Sequence, residues 1–265
     1  MKERNIGSMK ISNNNYIVCP MRVGLFIPCY VNLFYPNVGI ATLELLEKYG
    51  CQVEYPQGQT CCGQPIANSG YESKAKDTYL HFVNTFQKYD YIVAPSGSCT
   101  YHVKKHYDII DQDEKVKRVR SQTYDLTDFL LEIVKVDIAD ASFPHKVSLH
   151  QSCHGLRGLR TASGSERLVT PYNKWEELLS NVKGLQLVQT AIKDECCGFG
   201  GTFSIEEPEL SVKMGKDKIK DSINSEAEYI TSGDMSCLMH LDGVIRRNQY
   251  PIKVIHIAEI LNSRI

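Results

Sequence analysis

Eight of the ten cysteines fall into two sets built on one plan: a lone cysteine, an adjacent pair followed by glycine, and a second lone cysteine. The first set is Cys29, Cys61, Cys62 and Cys99; the second is Cys153, Cys196, Cys197 and Cys237. The spacings run in parallel, with 32 positions from Cys29 to Cys61 against 43 from Cys153 to Cys196, and 37 from Cys62 to Cys99 against 40 from Cys197 to Cys237. Adjacent cysteines make poor structural disulfides, because S–S geometry asks for Cα atoms roughly 4.4 to 6.8 Å apart and torsions that neighbours reach only under strain. They suit a metal cluster, whose several metal atoms spare neighbouring thiolates from competing for one site. The glycine after each pair lets the backbone take φ > 0 or lie close against an inorganic core. Zinc is the competing occupant, but structural zinc usually draws its ligands in C-x₂₋₄-C pairs, a spacing neither set has, so an iron–sulfur cluster is expected.

Other residues near these sets carry weaker signals. His150 and His154 flank Cys153; either could ligate iron, donate a hydrogen bond to a sulfur or carry a proton, and either could equally cap or pack a helix. Gly198, Gly200 and Gly201 lack the G-x-G-x-x-G spacing of a phosphate loop, so close packing of backbone against a cluster is the better account. Cys51 at a strand start reads as core, and Cys19 as incidental. The charge run Asp111 to Arg120 reads as a solvated linker face. Nothing forms a recognisable Ser-His-Asp set or paired-carboxylate site.

The elements that must position the cysteines repeat as well. Val23 to Pro28 is a short apolar run that ends at Cys29, and Lys146 to His150 ends just before Cys153. Strands at Cys51–Tyr55 and Leu185–Val188 precede the two pairs, and strands at Tyr91–Ala94 and Glu228–Ile230 precede Cys99 and Cys237. Helical periodicity marks Asn37–Tyr49, Glu72–Lys88, Trp175–Leu179, Glu209–Ile223 and Leu238–Arg247, and the chain closes with strand Lys253–Ile255 and helix Ile257–Leu261. Strands alternating with helices predict an α/β fold of two tandem homologous domains, each a small parallel sheet flanked by helices. Every candidate ligand then falls after a strand and before a helix, at the carboxyl edge where open α/β sheets bind ligands. Helix N-termini there would stabilise anionic thiolates.

At 265 residues the chain accommodates two such domains. The expected boundaries are a disordered extension over 1–20, a first domain over 21–135, a linker over 136–144 and a second domain over 145–265. With 42% hydrophobic and 23% charged residues and a net charge of −1, nothing points to a nucleic-acid partner. No apolar run approaches the roughly 20 residues needed to span a bilayer, and the first 20 residues lack the apolar core of a signal peptide, so a cytoplasmic protein is expected. In that reducing compartment repeated cysteines read as metal or redox groups.

Longer segments carry a resemblance: Val31 to Pro36, Gly58 to Pro65, Ala94 to Cys99, Ser152-Cys153-His154, Cys196 to Phe203 and Cys237-Leu238-Met239. With these the chain, over about Met21 to Leu261, resembles the cysteine-rich (CCG) domain family found in heterodisulfide reductases and in glycolate oxidase iron–sulfur proteins. The resemblance implies one component of a cytosolic iron–sulfur complex that oxidises L-lactate to pyruvate. Its two partner subunits would be a ferredoxin-like iron–sulfur protein and a third protein. It also keeps open a thiol–disulfide (heterodisulfide-type) reductase component and a glycolate-oxidising one, with a zinc-stapled interaction scaffold as the reading outside enzymology. The family pattern ends each repeat in C-x-x-C, whereas the first of those two positions is Ser96 in one copy and Asp234 in the other. Each site therefore has four thiolates, enough for a [4Fe–4S] cluster, which is favoured, or a [2Fe–2S] cluster, with Asp234 as a further candidate oxygen ligand.

Overall fold

The computed structural model describes residues 21–136, 138 and 140–264. The expected disordered extension, with Cys19, lies outside the described residues. Strands β1 (Arg22–Leu25), β2 (Gln52–Glu54), β3 (Tyr91–Ala94) and β4 (Thr123–Asp125) form one sheet in the order β2-β1-β3-β4, and every pairing is parallel. The second half builds the same object from β5 (Lys146–Leu149), β6 (Gln186–Val188), β7 (Tyr229–Ser232) and β8 (Lys253–His256), ordered β6-β5-β7-β8. Register makes the equivalence residue-specific: Leu25 pairs with Val93 and Leu149 with Thr231. In each sheet the chain leaves the first strand in one direction and crosses back over it to the third. The crevice at the carboxyl ends of β1 and β3, and of β5 and β7, is thus a topological switch point.

Local chemistry explains the elements. Pro36 opens the helix Pro36–Lys48, where a missing N–H costs nothing, and the helix buries Val38, Ala41, Leu45 and Leu46 on one face. Leu45 and Leu46 are fully buried, and each stabilises the fold by about 2 kcal/mol. The Asn173 side chain caps Lys174–Ser180 by accepting from the Trp175 and Glu176 amides at 3.1 and 3.2 Å.

One apolar cluster runs through both halves, from Val23 and Leu25 to Ile257 and Leu261, so the halves share a core. A second cluster, rich in aromatic rings, belongs to the first half alone and holds Phe26, Tyr79, Phe82, Phe86, Tyr107, Cys62 and Cys99. Between the halves, Val136 stays with the first, its amide donating to the Leu130 carbonyl at 3.1 Å, while the Phe143 amide donates to the Lys183 carbonyl at 2.9 Å and the Ser142 amide to that of Ser263.

The charge run differs from its sequence reading. Within Asp111 to Arg120, Asp113 accepts from the Val116 amide at 2.8 Å and starts the helix Glu114–Gln122, whose Val116 and Val119 are buried in the aromatic cluster. The two valines three positions apart form an apolar stripe that the surrounding charges mask. No helix among the described residues is long and apolar enough to cross a membrane.

Candidate metal centres

The eight cysteines leave the sheets at the switch points. Cys29 is the first residue of the helix Cys29–Phe34, four residues beyond β1, and Cys153 stands four residues beyond β5, immediately before the wide-turn helix His154–Leu159. Cys99 lies in the first turn of the helix Gly97–His106 and Cys237 in that of Met235–Asn248, each five residues past its strand. The adjacent pairs end the loops that follow β2 and β6. There the chain turns through Gly63 at φ 89° and Gly198 at φ 90°.

Those turns admit no side chain. A Cβ on Gly198 would come within 2.4 Å of the Ser211 carbonyl oxygen, and one on Gly63 within 2.6 Å of the Tyr79 ring. The turns also aim amides at sulfur: Gly63 N–H at Cys61 Sγ (3.4 Å), Gly198 N–H at Cys196 Sγ (3.4 Å) and Phe199 N–H at Cys197 Sγ (3.5 Å).

Sulfur follows sulfur in the same order in both sets. Cys29 contacts Cys61 at 3.9 Å, Cys61 contacts Cys62 and Cys62 contacts Cys99; Cys153, Cys196, Cys197 and Cys237 repeat the chain of contacts. Hydrogen bonds from Cys29, Cys62 and the Gly63 amide hold Cys61 down, to about 3, and bonds from Cys153, Cys197 and the Gly198 amide hold Cys196 down, to about 2. The neighbours that give up those hydrogen bonds shift the opposite way: Cys29 and Cys62, Cys153 and Cys197 are all raised, with burial adding to the shift. Ionising these raised neighbours calls for a cationic partner in their midst.

The donor set fits a thiophilic metal group, and one buried residue points the same way. His150 is 2% exposed, and neither ring nitrogen has a hydrogen-bond partner. A ring nitrogen of His150 and the sulfurs of Cys197 and Cys237 all lie within 4.8 Å of one another. Burial and the nearby Lys218 ammonium push the imidazole down to about 3, so it is neutral.

Both sets open onto one cavity of about 340 Å³ between the halves, and all eight cysteines line it. Across it Tyr30 of the first half meets Phe199 of the second edge-on at 6.0 Å, and His154 of the second half meets Tyr101 of the first at 5.3 Å. His154 therefore borders the cavity and stands apart from the group formed by His150, Cys197 and Cys237.

Ser96 and Asp234, the two positions that break the C-x-x-C pattern, pair with each other across the halves. The fully buried Asp234 carboxylate accepts from the Ser98 amide (2.8 Å), Ser98 Oγ (2.9 Å), Ser96 Oγ (3.2 Å) and Ser236 Oγ (3.2 Å), and burial raises it. A carboxylate so engaged ties the halves together.

Three residues escape the sequence reading. His102 and His240 each stand one helical turn after the last cysteine of their set; burial lowers both, and the thiolates of Cys61 and Cys196 respectively lie close enough to oppose that shift. The repeated Cys-x-x-His spacing at 99–102 and 237–240 is the signal that could have found them. Lys218, 1% exposed, donates to the Ile192 carbonyl at 3.0 Å and lies near Cys197; a lysine on a helix gives no sequence sign of such burial.

Comparison with known proteins agrees with this duplication. The family model described as a cysteine-rich domain, CCG, matches twice, over residues 23–104 and 147–242. Lactate utilization protein A of Geobacillus sp. (strain WCH70) is 42% identical over 248 residues, 92% of this chain and 100% of the relative. The protein of that name from Bacillus subtilis (strain 168) is 41% identical over the same shares. Among solved structures, glutamate racemase isoform RacE1 from Bacillus anthracis has a TM-score of 0.36 at 10% identity over 91% of this chain and 79% of its own, too distant to bear on the fold or the site.

Proposed function

The chain belongs to the cysteine-rich (CCG) domain family and, within it, with the proteins named lactate utilization protein A; on that premise we propose that it is an iron–sulfur electron-transfer subunit of a cytoplasmic complex that oxidises L-lactate to pyruvate. Its partners in this reading are a ferredoxin-like iron–sulfur protein and a third protein. The observation that carries it is the convergence of two four-cysteine sets on one cavity, so that two redox centres would border a common space. Bound clusters supply one-electron steps, through which the two electrons of a 2-hydroxy acid leave singly.

The residues of the chain do the holding. Cys29, Cys61, Cys62 and Cys99 grip one group and Cys153, Cys196, Cys197 and Cys237 the other. The Gly63, Gly198 and Phe199 amides bias the sulfurs toward the anionic state by hydrogen bonding. Burial of Cys62, Cys99 and Cys197 excludes water from one side of each centre.

The test is iron and acid-labile sulfide per chain on anaerobically purified protein, with electron paramagnetic resonance before and after reduction, for wild type and Cys197→Ser. Roughly four to eight irons with matching sulfide, and a signal lost or altered in the variant, is the expected result. One observation favours a second reading. Two thiolates on a single tetrahedral metal at 2.3 Å stand about 3.8 Å apart, and Cys29 and Cys61 stand 3.9 Å apart. Zinc without sulfide, after anaerobic reconstitution has also failed, would replace the redox subunit with a zinc-stapled scaffold.

A further inference from the structure

His150 is a fully enclosed imidazole that the protein leaves unpaired. Both ring nitrogens are buried and without a partner. An orphaned buried polar atom costs about 1–3 kcal/mol, and nearly all such atoms in folded proteins are satisfied. Two on one ring, in a position adjoining the second cysteine set, mark a group with a partner still to come. The nearest donors identify it: a ring nitrogen of His150 and the sulfurs of Cys197 and Cys237 lie within 4.8 Å of one another. A tetrahedral metal with nitrogen at about 2.0–2.1 Å and sulfur at about 2.3 Å spans roughly 3.6 Å between such donors, so a small inward shift closes the set on a metal.

The duplication supplies an internal control. Phe26 stands where His150 stands: each follows the last residue of its strand, and each donates its amide to the strand alongside, Phe26 to Val93 at 2.9 Å and His150 to Thr231 at 2.8 Å. Each also precedes the first cysteine of its set by three residues. In the first half the position is filled by a ring packed edge-on against Phe82 at 4.9 Å. The backbone there asks for no polar side chain. An imidazole in the second copy therefore reflects what it reaches.

We propose that His150 is a nitrogen ligand of the metal group held by Cys197 and Cys237, which makes the second centre a mixed sulfur–nitrogen site and leaves the first all-thiolate. The inference rests on the reading that the cysteine sets bind metal. A neutral imidazole brings no negative charge to the centre, so the second centre differs from the first in donor type at an equal count of thiolates.

The experiment is pulsed electron paramagnetic resonance on the full-length, anaerobically purified and reduced protein, grown with unlabelled and with ¹⁵N-histidine. The expected result is a histidine-nitrogen coupling of the strength of direct ligation. It should change pattern with the label, be lost in His150→Phe, and survive in His240→Gln, whose ring nitrogen already contacts the Ser211 carbonyl at 3.3 Å. Should His150→Phe fail to fold, the labelled wild type and His150→Gln carry the test. Iron-loaded wild type with no such coupling, or a coupling that survives both His150 variants, overturns the inference and leaves the proposed function standing. If the metal is zinc, the proposed function falls, and X-ray absorption at the zinc edge decides this inference separately: a nitrogen neighbour near 2.0–2.1 Å that disappears in His150→Phe supports it, and an all-sulfur shell overturns it. Failure to hold either metal after anaerobic reconstitution overturns both.

Discussion

The two halves repeat one topology and one cysteine plan, yet they surround the cysteines with opposite materials. In the first half Cys62 and Cys99 lie in an aromatic cluster, with Tyr79 and Tyr107 stacked at 4.2 Å and the Tyr107 hydroxyl donating to the Cys62 carbonyl at 3.0 Å. In the second, Cys197 has the unpaired His150 imidazole beside it and the buried Lys218 ammonium nearby. A low-dielectric wall resists added negative charge, whereas a buried cation and polar donors accept it. A duplicated chain with identical surroundings would hold two interchangeable centres. In the proposed electron-transfer reading, unlike surroundings would give the pair a direction, with the second half as the end at which an electron comes to rest.

The largest effects come from the cysteines. Cys62→Ser and Cys197→Ser should each remove the metal of its own half, roughly half of the total, because each thiol is buried and touches two others of its set. Iron per chain measures this. Loss of all metal from either single variant would show that the shared apolar cluster couples the centres. With wild-type metal retained in both variants, the cysteine sets would not be the binding sites.

A second contrast sits at the ends of β4 and β8. Asp125 and His256 are equivalent in register, pairing with Ala94 and Ser232, and each caps the helix that follows: Asp125 accepts from the Thr127 amide at 2.9 Å and His256 from the Ala258 amide at 3.1 Å. Burial, with Asp128 nearby, pushes Asp125 up to about 7 from 3.8, and burial pushes His256 down to about 4 from 6.5. Asp125 binds its proton more tightly folded than unfolded, so its contribution is complete below the unfolded carboxylate range and is lost as pH rises toward 7. The folded state binds the His256 proton less tightly, so that contribution is complete above about 6.5 and is lost as pH falls toward 4. The expected swings across this window are about 4 kcal/mol for Asp125 and about 3 kcal/mol for His256, opposite in sign. Urea unfolding at fixed metal loading should show stability rising with pH from 4 to 7 in Asp125→Asn and falling in His256→Asn. Parallel curves for the two variants would sink the contrast.

Those two residues show where legibility in sequence stops. The cysteine plan and the alternation of strand and helix are local patterns, and they locate the α/β halves and the eight sulfurs. Strand β4 is three residues, Thr123-Tyr124-Asp125, with no apolar run to announce it, and the helix Glu114–Gln122 carries its two buried valines among charges. The meeting of Ser96 with Asp234 is a property of how the halves associate, 138 positions apart, and no spacing within either half encodes it. His102 and His240 were legible in principle, since their spacing repeats. His150 was visible as a candidate, but its significance depends on burial and on Phe26 opposite it in the other copy.

The glycine turns differ in what confronts them. Gly198→Ala places a Cβ against backbone, the Ser211 carbonyl, while Gly63→Ala places one against a side chain, the buried Tyr79 ring stacked on Tyr107. Both also force a side chain into the left-handed region. Expected losses are about 2–4 kcal/mol for Gly198→Ala and about 1–3 kcal/mol for Gly63→Ala, read from denaturant midpoints. The reverse order would mean that the loop before the helix Pro208–Asn224 yields more readily than the aromatic cluster.

The smallest contrast lies where the halves touch. Ser96 and Asp234 each precede the helix that carries the last cysteine of their set, and only Ser96 caps its own helix, accepting from the Cys99 amide at 3.3 Å. Asp234 spends its carboxylate on Ser98 and Ser96 of the other half. Removing it in Asp234→Ala strands the buried Ser98 amide and takes an acceptor from the hydroxyls of Ser96, Ser98 and Ser236, for a loss of about 2–3 kcal/mol. Ser96→Ala removes one cap and one weak donor, for about 1 kcal/mol. The discriminating readout is hydrogen exchange at the Ser98 and Cys99 amides: Asp234→Ala should deprotect Ser98 and spare Cys99, and Ser96→Ala should do the reverse. If both variants deprotect both amides equally, the carboxylate and the cap act as one unit, and the division of labour between the equivalent positions disappears.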